Sequence, residues 1–452
     1  MQKNEIYTAK IEDLTAEGSG VCHIDGMAVF VPETAVGDEL KIKIVKVLKN
    51  YAFGKAEEII VPSADRIESD CIYHKQCGGC TFRHISYAKE LELKANIVKN
   101  AFERIGKLSP EFLPIIGCES RERYRNKAQY PVSEDKDGKL ICGFYAKRSH
   151  RIVPIDDCLL QPEIFKKTVK IILDYAQEKK IRAYNEENCT GILRHIYLRK
   201  GHYSGEMMVC LVVRKSIERE LRGLVKRITN ELPCVKSIVM NINPKKTNVI
   251  LGKKNITLWG SDTIKDTMCG NETTISPMSF YQVNTPQAEK LYGIAKEFAA
   301  LTGNERLLDL YCGAGTIGLS MADKAAEVVG VEVIPEAIEN AKENANRNGI
   351  ENASFICGDA GETAKKFADE NMLPDIIVAD PPRRGCDMQS IEAMCSMSPK
   401  RIVMVSCNPA TAARDCAVIA ERGYVVEKVQ PVDLFSGTGH VECVVLMSRD
   451  KD

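Results

Sequence analysis

The chain has 452 residues, 44% hydrophobic and 27% charged, with Lys and Arg numbering 62 and Asp and Glu also 62. That length exceeds what one core usually organises, so two or three domains are expected. No apolar run is long enough to span a membrane, and MQKNEIYTAK is not a secretory signal. The charge balance excludes a uniformly basic nucleic-acid binder, leaving local clusters to mark any RNA surface.

The 18 cysteines are spread mostly as single residues through apolar segments. With no secretory signal, this pattern points to a reducing, cytoplasmic setting rather than to disulfides. Most of them read as small buried hydrophobes. Nothing in the sequence demands more than a monomer.

Residues 1–60 alternate apolar and polar positions between Gly-containing turns, which predicts a small β-barrel. Its last hairpin, KIKIVKVLKNYAFGK, carries Lys41, Lys43, Lys46, Lys49 and Lys55 beside Tyr51 and Phe53. Basic and aromatic residues interleaved in this way suit an oligonucleotide surface, although lysines also protect edge strands. Residues 61–270 read as a central α+β domain. Within it, 84–107 have helical periodicity, and RERYRNKAQYP and FYAKRSHR form a second basic and aromatic candidate surface. From about 271 to 452, strands alternate with helices, which predicts a doubly wound, Rossmann-like α/β domain.

The chemistry concentrates at the ends of those strands. In LLDLYCGAGTIGLSMA, Gly313, Gly315 and Gly318 follow a strand and let the backbone approach a cofactor. Glu332 ends the next strand, where it can bond ribose hydroxyls. Asp359 follows the third, near an adenine position. This spaced acidic pair, without a phosphate-binding loop, fits S-adenosylmethionine (SAM) better than a dinucleotide. Asp380 opens the rigid DPPRRG turn after the fourth strand, and Cys407, in SCNPAT, follows the fifth. A thiolate there has a specific use. Uracil C5 is a poor nucleophile, and thiolate addition at C6 makes it an enolate carbon able to attack a sulfonium methyl. The C5 proton then needs a base, and Glu442 at the last strand is the candidate. Amino-group methylation, the usual companion of a DPP turn, has no use for the Cys407–Glu442 pair.

The set SFYQVN (279–284), DLYCGAGTIGL, DPPRRG, SCNPAT and TGHVE resembles the RNA (uracil-5-)-methyltransferase family across the C-terminal half. The resemblance implies that Gln282, Tyr311, Glu332 and Asp380 contact SAM, with Asp359 also carried over. It further implies that Cys407 is the nucleophile, Glu442 the base and Phe280 an aid to positioning the target base.

CIYHKQCGGC places Cys71, Cys77 and Cys80 in a C-x5-C-x2-C array, and Cys158 in VPIDDCLLQP is the choice for a fourth ligand. Four thiolates hold zinc or an iron–sulfur cluster. His74 and His84 read as surface or packing residues rather than ligands. In the resembling family this array, with an N-terminal TRAM barrel, marks the 23S ribosomal RNA branch and a [4Fe-4S] cluster, which shapes the RNA surface rather than doing redox chemistry. The resemblance also implies that residues 84–115 pack on the C-terminal domain. Two other readings are open: the same chemistry on transfer RNA, or a non-catalytic RNA-binding protein holding a cluster.

Overall fold

A computed structural model describes residues 1–449. The first sixty residues form a six-stranded sheet in the order Ile6–Lys10, Glu39–Val47, Tyr51–Val61, Met27–Pro32, Ser19–Ile24 and Asp13–Leu14. In Glu39–Val47 the two-residue period sends Leu40, Ile42 and Ile44 inward against Val29, Val31 and Ala52, while Lys41 is exposed. Phe30, Tyr51 and Phe53 meet in edge and tilted contacts, with centroids 5.6–6.0 Å apart. Lys46 pairs with Phe53 across the hairpin, whereas Lys41 pairs with Glu58, its Nζ 2.8 Å from that carboxylate.

The central sheet has seven strands, ordered Ile152–Pro154, Leu140–Tyr145, Lys127–Glu134, Leu193–Lys200, Met207–Val213, Val235–Ile242 and Lys254–Gly260. Helices Glu163–Glu178 and Glu218–Glu231 contribute Phe165, Ile172, Leu224 and Ile228 to its main core. Met207–Val213 is buried along its whole length because Cys210 and Val212 pack under Ile250 and Leu251 on the opposite face. The edge strand Lys254–Gly260 is mostly exposed and lacks a strong alternating pattern, which is why its sequence does not announce it.

Two of the three arginines of RERYR are taken up inside the protein. Arg121 pairs with Glu90, Arg123 grips Asp157 through two nitrogens, and Tyr124 is buried with its hydroxyl donating to the Ser436 carbonyl. Their charges are consumed in joining segments. Lys147, Arg148, His150 and Arg151 of the second patch are exposed.

The C-terminal sheet runs Ala353–Cys357, Glu327–Glu332, Arg306–Leu310, Ile376–Ala379, Arg401–Ser406, Glu442–Arg449, Tyr424–Val432 and Glu111–Phe112. The first five strands are mutually parallel, and Glu442–Arg449 runs antiparallel to both neighbours. The short strand Glu111–Phe112 comes from far upstream and extends the edge in parallel. Ahead of it, helix Tyr87–Asn100 is capped by Ser86, whose hydroxyl accepts from the Lys89 amide, and runs on into a π-helical turn, Ala101–Gly106. Val98, Ala101 and Phe102 enter the same core as Leu308, Ile377 and Met404. The segment around 84–115 therefore packs on the C-terminal sheet although it precedes the central one. A buried ion cluster reinforces the join: Lys94 Nζ lies 2.8 Å from Glu90 and 2.7 Å from Asp433, all three side chains fully enclosed.

Candidate active site

The parallel strands deliver their C-terminal ends to one edge of the sheet, where helix N-termini and loops gather. After Arg306–Leu310 the chain turns sharply. Tyr311 has φ +63°, uncommon for a residue with a side chain, and its hydroxyl donates to Ser390 Oγ at 3.0 Å. Gly313 (φ +55°) faces open space, so nothing but glycine's missing Cβ lines that approach. Glu332 steadies this loop, accepting from the Gly313 amide at 3.2 Å and from the Ile334 amide at 2.9 Å. Asp359 is exposed and caps helix Ala360–Asp369, with one carboxylate oxygen accepting from Gly361 and Glu362. That cap leaves its other oxygen free.

Gln282, Tyr311 and Asp380 meet in the wall of a narrow cavity with Phe280, Tyr292, Gly313 and Thr316. Gln282 donates to the Tyr292 hydroxyl at 3.3 Å, and Phe280 is 72% exposed at the cavity mouth. Burial alone pushes the Asp380 carboxyl up to about 7. Asp309, one strand over, is also pushed to about 7 by burial; one of its oxygens accepts from the Gly318 amide and the other is buried without a partner. Burial without a counter-charge is what holds both carboxyls this high, so a cation placed beside them would lower them again. The sequence reading did not single out Asp309 as a site residue.

Cys407 sits between strand Arg401–Ser406 and helix Pro409–Ala420, half-buried, and opens on a cleft of ≈ 580 Å³. That cleft is bounded by Arg383 and His440 near the thiol, by Asn100 and Arg104 of the upstream helix, and by Ala16 and Glu17 of the N-terminal barrel. Glu442 begins the antiparallel strand next door. It is 5% exposed, its carboxyl pushed up to about 8 by burial and then by the charge of Asp380. Burial, Glu442 and Asp380 likewise push the Cys407 thiol up, while Arg383 opposes them by charge and by a hydrogen bond to the sulfur. Arg383 is held for this purpose: its carbonyl accepts from Asn408 Nδ2 at 3.0 Å and from the Thr411 hydroxyl at 3.4 Å. Thus SCNPAT carries, besides its cysteine, the two side chains that pin DPPRRG against it. The sequence did not single out Arg383.

Residues 86–450 match the model of the family described as tRNA (uracil-5-)-methyltransferase, and residues 2–56 match the TRAM domain. The chain belongs to the tRNA (uracil-5-)-methyltransferase family. It is a SAM-dependent RNA methyltransferase, with the Rossmann-like fold expected of its C-terminal half. An uncharacterized RNA methyltransferase of Halalkalibacterium halodurans is 46% identical over 99% of this chain and 98% of its own length. Another, of Clostridium acetobutylicum, is 44% identical over 99% and 98%. Among solved structures, a Pyrococcus abyssi tRNA (uracil-54, C5)-methyltransferase in complex with S-adenosyl-L-homocysteine superposes with a TM-score of 0.79. It is 27% identical and covers 98% of this chain and all of that one. A transfer-RNA enzyme of the same full-length architecture means that architecture alone does not separate ribosomal from transfer RNA.

Cys80 lies against the loop that leads into Glu442, its Sγ 4.0 Å from where a Cβ on Gly437 would stand. Cys77 bridges to Ala146 beside the central sheet, and Gly78 passes so close to the Tyr145 carbonyl that an added Cβ would come within 2.9 Å. Cys77 is within electrostatic reach of Cys71 and Cys80, and Cys158 within reach of Cys77 and Cys80, although among the described residues no three of these sulfurs lie within 4.8 Å of one another. All four are free thiols, and burial pushes Cys77, Cys80 and Cys158 up. Beside Cys80 stand Arg83, with Nε and Nη2 buried and lacking a hydrogen-bond partner, and Arg125, with Nε alone so placed. His74 and His84 are buried too, and they are not surface residues.

Proposed function

We propose that this enzyme methylates C5 of a uridine in RNA, 23S ribosomal RNA in the first instance, through a covalent bond from Cys407 to the base. The observation that carries this reading is the placement of Cys407 beside Glu442, at the mouth of the cleft and next to the Asp380 cavity. The cysteine sulfur, as thiolate, bonds to C6 and the C5–C6 double bond becomes an enolate. Bound SAM supplies an electrophilic methyl group, which the enolate carbon takes as the S–CH3 bond breaks and the electron pair stays on sulfur, leaving S-adenosyl-L-homocysteine. Glu442 then removes the C5 proton, the Cys407–C6 bond breaks, and the double bond returns with the thiolate released. Gln282, Tyr311, Glu332, Asp359 and Asp380 are the proposed SAM contacts; the raised carboxyls of Asp309 and Asp380 suit the positive sulfonium. The base must leave its stack to enter the cleft, and Phe280 at the cavity mouth is placed to flank it.

Cys71, Cys77, Cys80 and Cys158 are the proposed ligands of a [4Fe-4S] cluster. Four thiolates with two underused guanidinium groups beside them suit a site that carries net negative charge. Its role in this reading is architectural. The Thr81 and Phe82 amides donate to the Gly437 carbonyl at 2.7 and 3.0 Å, so an ordered cysteine segment steadies the loop that leads into Glu442. Iron and sulfide in anaerobically purified protein, lost in Cys77→Ser, would support the cluster; zinc alone would replace it with a structural zinc site.

The similarity to the Pyrococcus abyssi enzyme favours transfer RNA as the second reading. The deciding experiment mixes the protein with methyl-labelled SAM and either 23S or transfer RNA containing 5-fluorouridine, whose fluorine blocks proton removal. A methylated covalent adduct with 23S RNA, absent in Cys407→Ala, supports the first reading. An adduct with transfer RNA alone supports the second, and no adduct with either removes the covalent mechanism.

A further inference from the structure

Away from the catalytic edge, two histidines and a glutamate converge where the N-terminal barrel meets the cysteine-bearing segment. Glu33 follows the barrel strand Met27–Pro32 in a left-handed conformation, φ +60°, that residues with side chains seldom adopt. His74 lies inside the CIYHKQC loop, and His84 precedes the helix cap at Ser86. One ligand-capable atom from each residue lies within 4.8 Å of the other two. The histidines are 4% and 5% exposed, their ring centroids 5.4 Å apart.

Their hydrogen bonding is incomplete in an informative way. His84 Nε2 is 3.0 Å from the Thr34 carbonyl oxygen, which can only accept, so Nε2 carries the proton. Nδ1 is therefore a lone pair, and it is buried with no donor near it. His74 Nε2 is in ion-pair contact with Glu33 Oε2 at 2.9 Å, while its Nδ1 is buried without a partner. Lys147 occupies the other Glu33 oxygen, which leaves Oε2 to face the imidazoles. Leaving such groups unpaired in the interior costs free energy. A cation among them would satisfy all three, and an imidazole N–H anchored on a backbone carbonyl is the usual way a metal-binding histidine is oriented.

We propose that Glu33, His74 and His84 form a second metal site, separate from the four cysteines, for a divalent cation of the zinc class. Two nitrogens and one carboxylate oxygen match that class, whereas calcium and magnesium prefer all-oxygen shells. Three protein ligands leave a fourth, tetrahedral position for water. The metal would cross-link the barrel, through Glu33, to the loop bearing Cys71 and Cys77, and so fix the barrel over the catalytic cleft.

The test is a Co²⁺ titration of the anaerobically purified full chain, after the metal and sulfide held by its cysteines have been quantified. The expected result is uptake of one further Co²⁺ with the ligand-field bands of nitrogen and oxygen ligands and no sulfur-to-metal charge transfer. Glu33→Gln and His84→Ala should each weaken it by at least about 100-fold, with cysteine-held metal and circular dichroism unchanged. His84→Gln, which can still donate to Thr34, serves if the alanine variant fails to fold. Equal cobalt affinity in Glu33→Gln and the His84 variant, bands showing only thiolate ligation, or no further uptake by the unaltered chain would overturn the site.

Discussion

Cys407 and Glu442 are neighbours across a strand pair: Ser406 pairs with Cys443 in antiparallel register, so Cys407, one residue after Ser406, and Glu442, one residue before Cys443, stand at the same edge of the sheet. The proposed nucleophile and base thereby come to one place, and the antiparallel direction of the strand that Glu442 begins is what turns it toward that edge.

The two residues should fail differently. Cys407→Ala is expected to abolish methyl transfer while SAM still binds, measured by calorimetry beside a labelled-methyl assay. Glu442→Gln should slow turnover by about 10²–10⁴-fold and accumulate methylated protein–RNA adduct, visible as a shifted band on a denaturing gel. Turnover by Glu442→Gln at the unaltered rate, without adduct, would remove Glu442 from its role.

Both groups must lose a proton to act, and both are held high: Glu442 at about 8, and Cys407 above its ordinary value. The rate constant kcat/KM is therefore expected to rise with pH through about 8. Arg383 lowers both groups, so Arg383→Ala should move the rise to higher pH. Each unit of that shift costs tenfold at neutral pH, and a pH–rate profile should show the loss recovering in alkaline solution. A loss of equal size at every pH would mean that Arg383 acts elsewhere, on RNA binding for example.

Lys94 is fully enclosed between Glu90 and Asp433 and also donates to the Phe435 carbonyl at 3.1 Å. Lys94→Ala would leave Asp433 with only the neutral donors Tyr87 Oη and Phe435 N, and no cation, while Glu90 keeps Arg121. Removing one partner from a buried ion cluster costs about 3–5 kcal/mol, which chemical denaturation would measure. Lys94→Met, which keeps volume but not charge, should recover little of it.

Gly439 lies against the barrel: an added Cβ would come within 1.9 Å of the Ala16 carbonyl oxygen. Gly439→Ala should push the barrel off the cleft that Ala16 and Glu17 help to enclose. The expected signature is a raised KM for RNA with SAM affinity retained.

Much of this protein is legible in its sequence, because local rules act locally. The two-residue period of KIKIVKV and the fully apolar cores of IIVA and RIVMV announce strands, and the glycines of YCGAGTIG announce a close backbone approach. Cys407, Asp380 and the cysteine array stand out because thiols and carboxylates at strand ends or at metal-ligand spacing have few other uses. Where local signals mislead, charges are the cause. RERYR looks like an RNA surface, but Arg121 and Arg123 are taken up by Glu90 and Asp157, partners that no spacing reveals.

By itself, then, the sequence determined the fold class and the family and singled out the groups proposed to react, since each depends on residues close together in the chain. Only the tertiary structure decided which groups share an environment: Arg383 beside Cys407, Lys94 between Glu90 and Asp433, Glu33 against His74 and His84. Those relationships join segments that fold separately, and burial, which sets their charge states, is a property of the packed molecule and of no single segment.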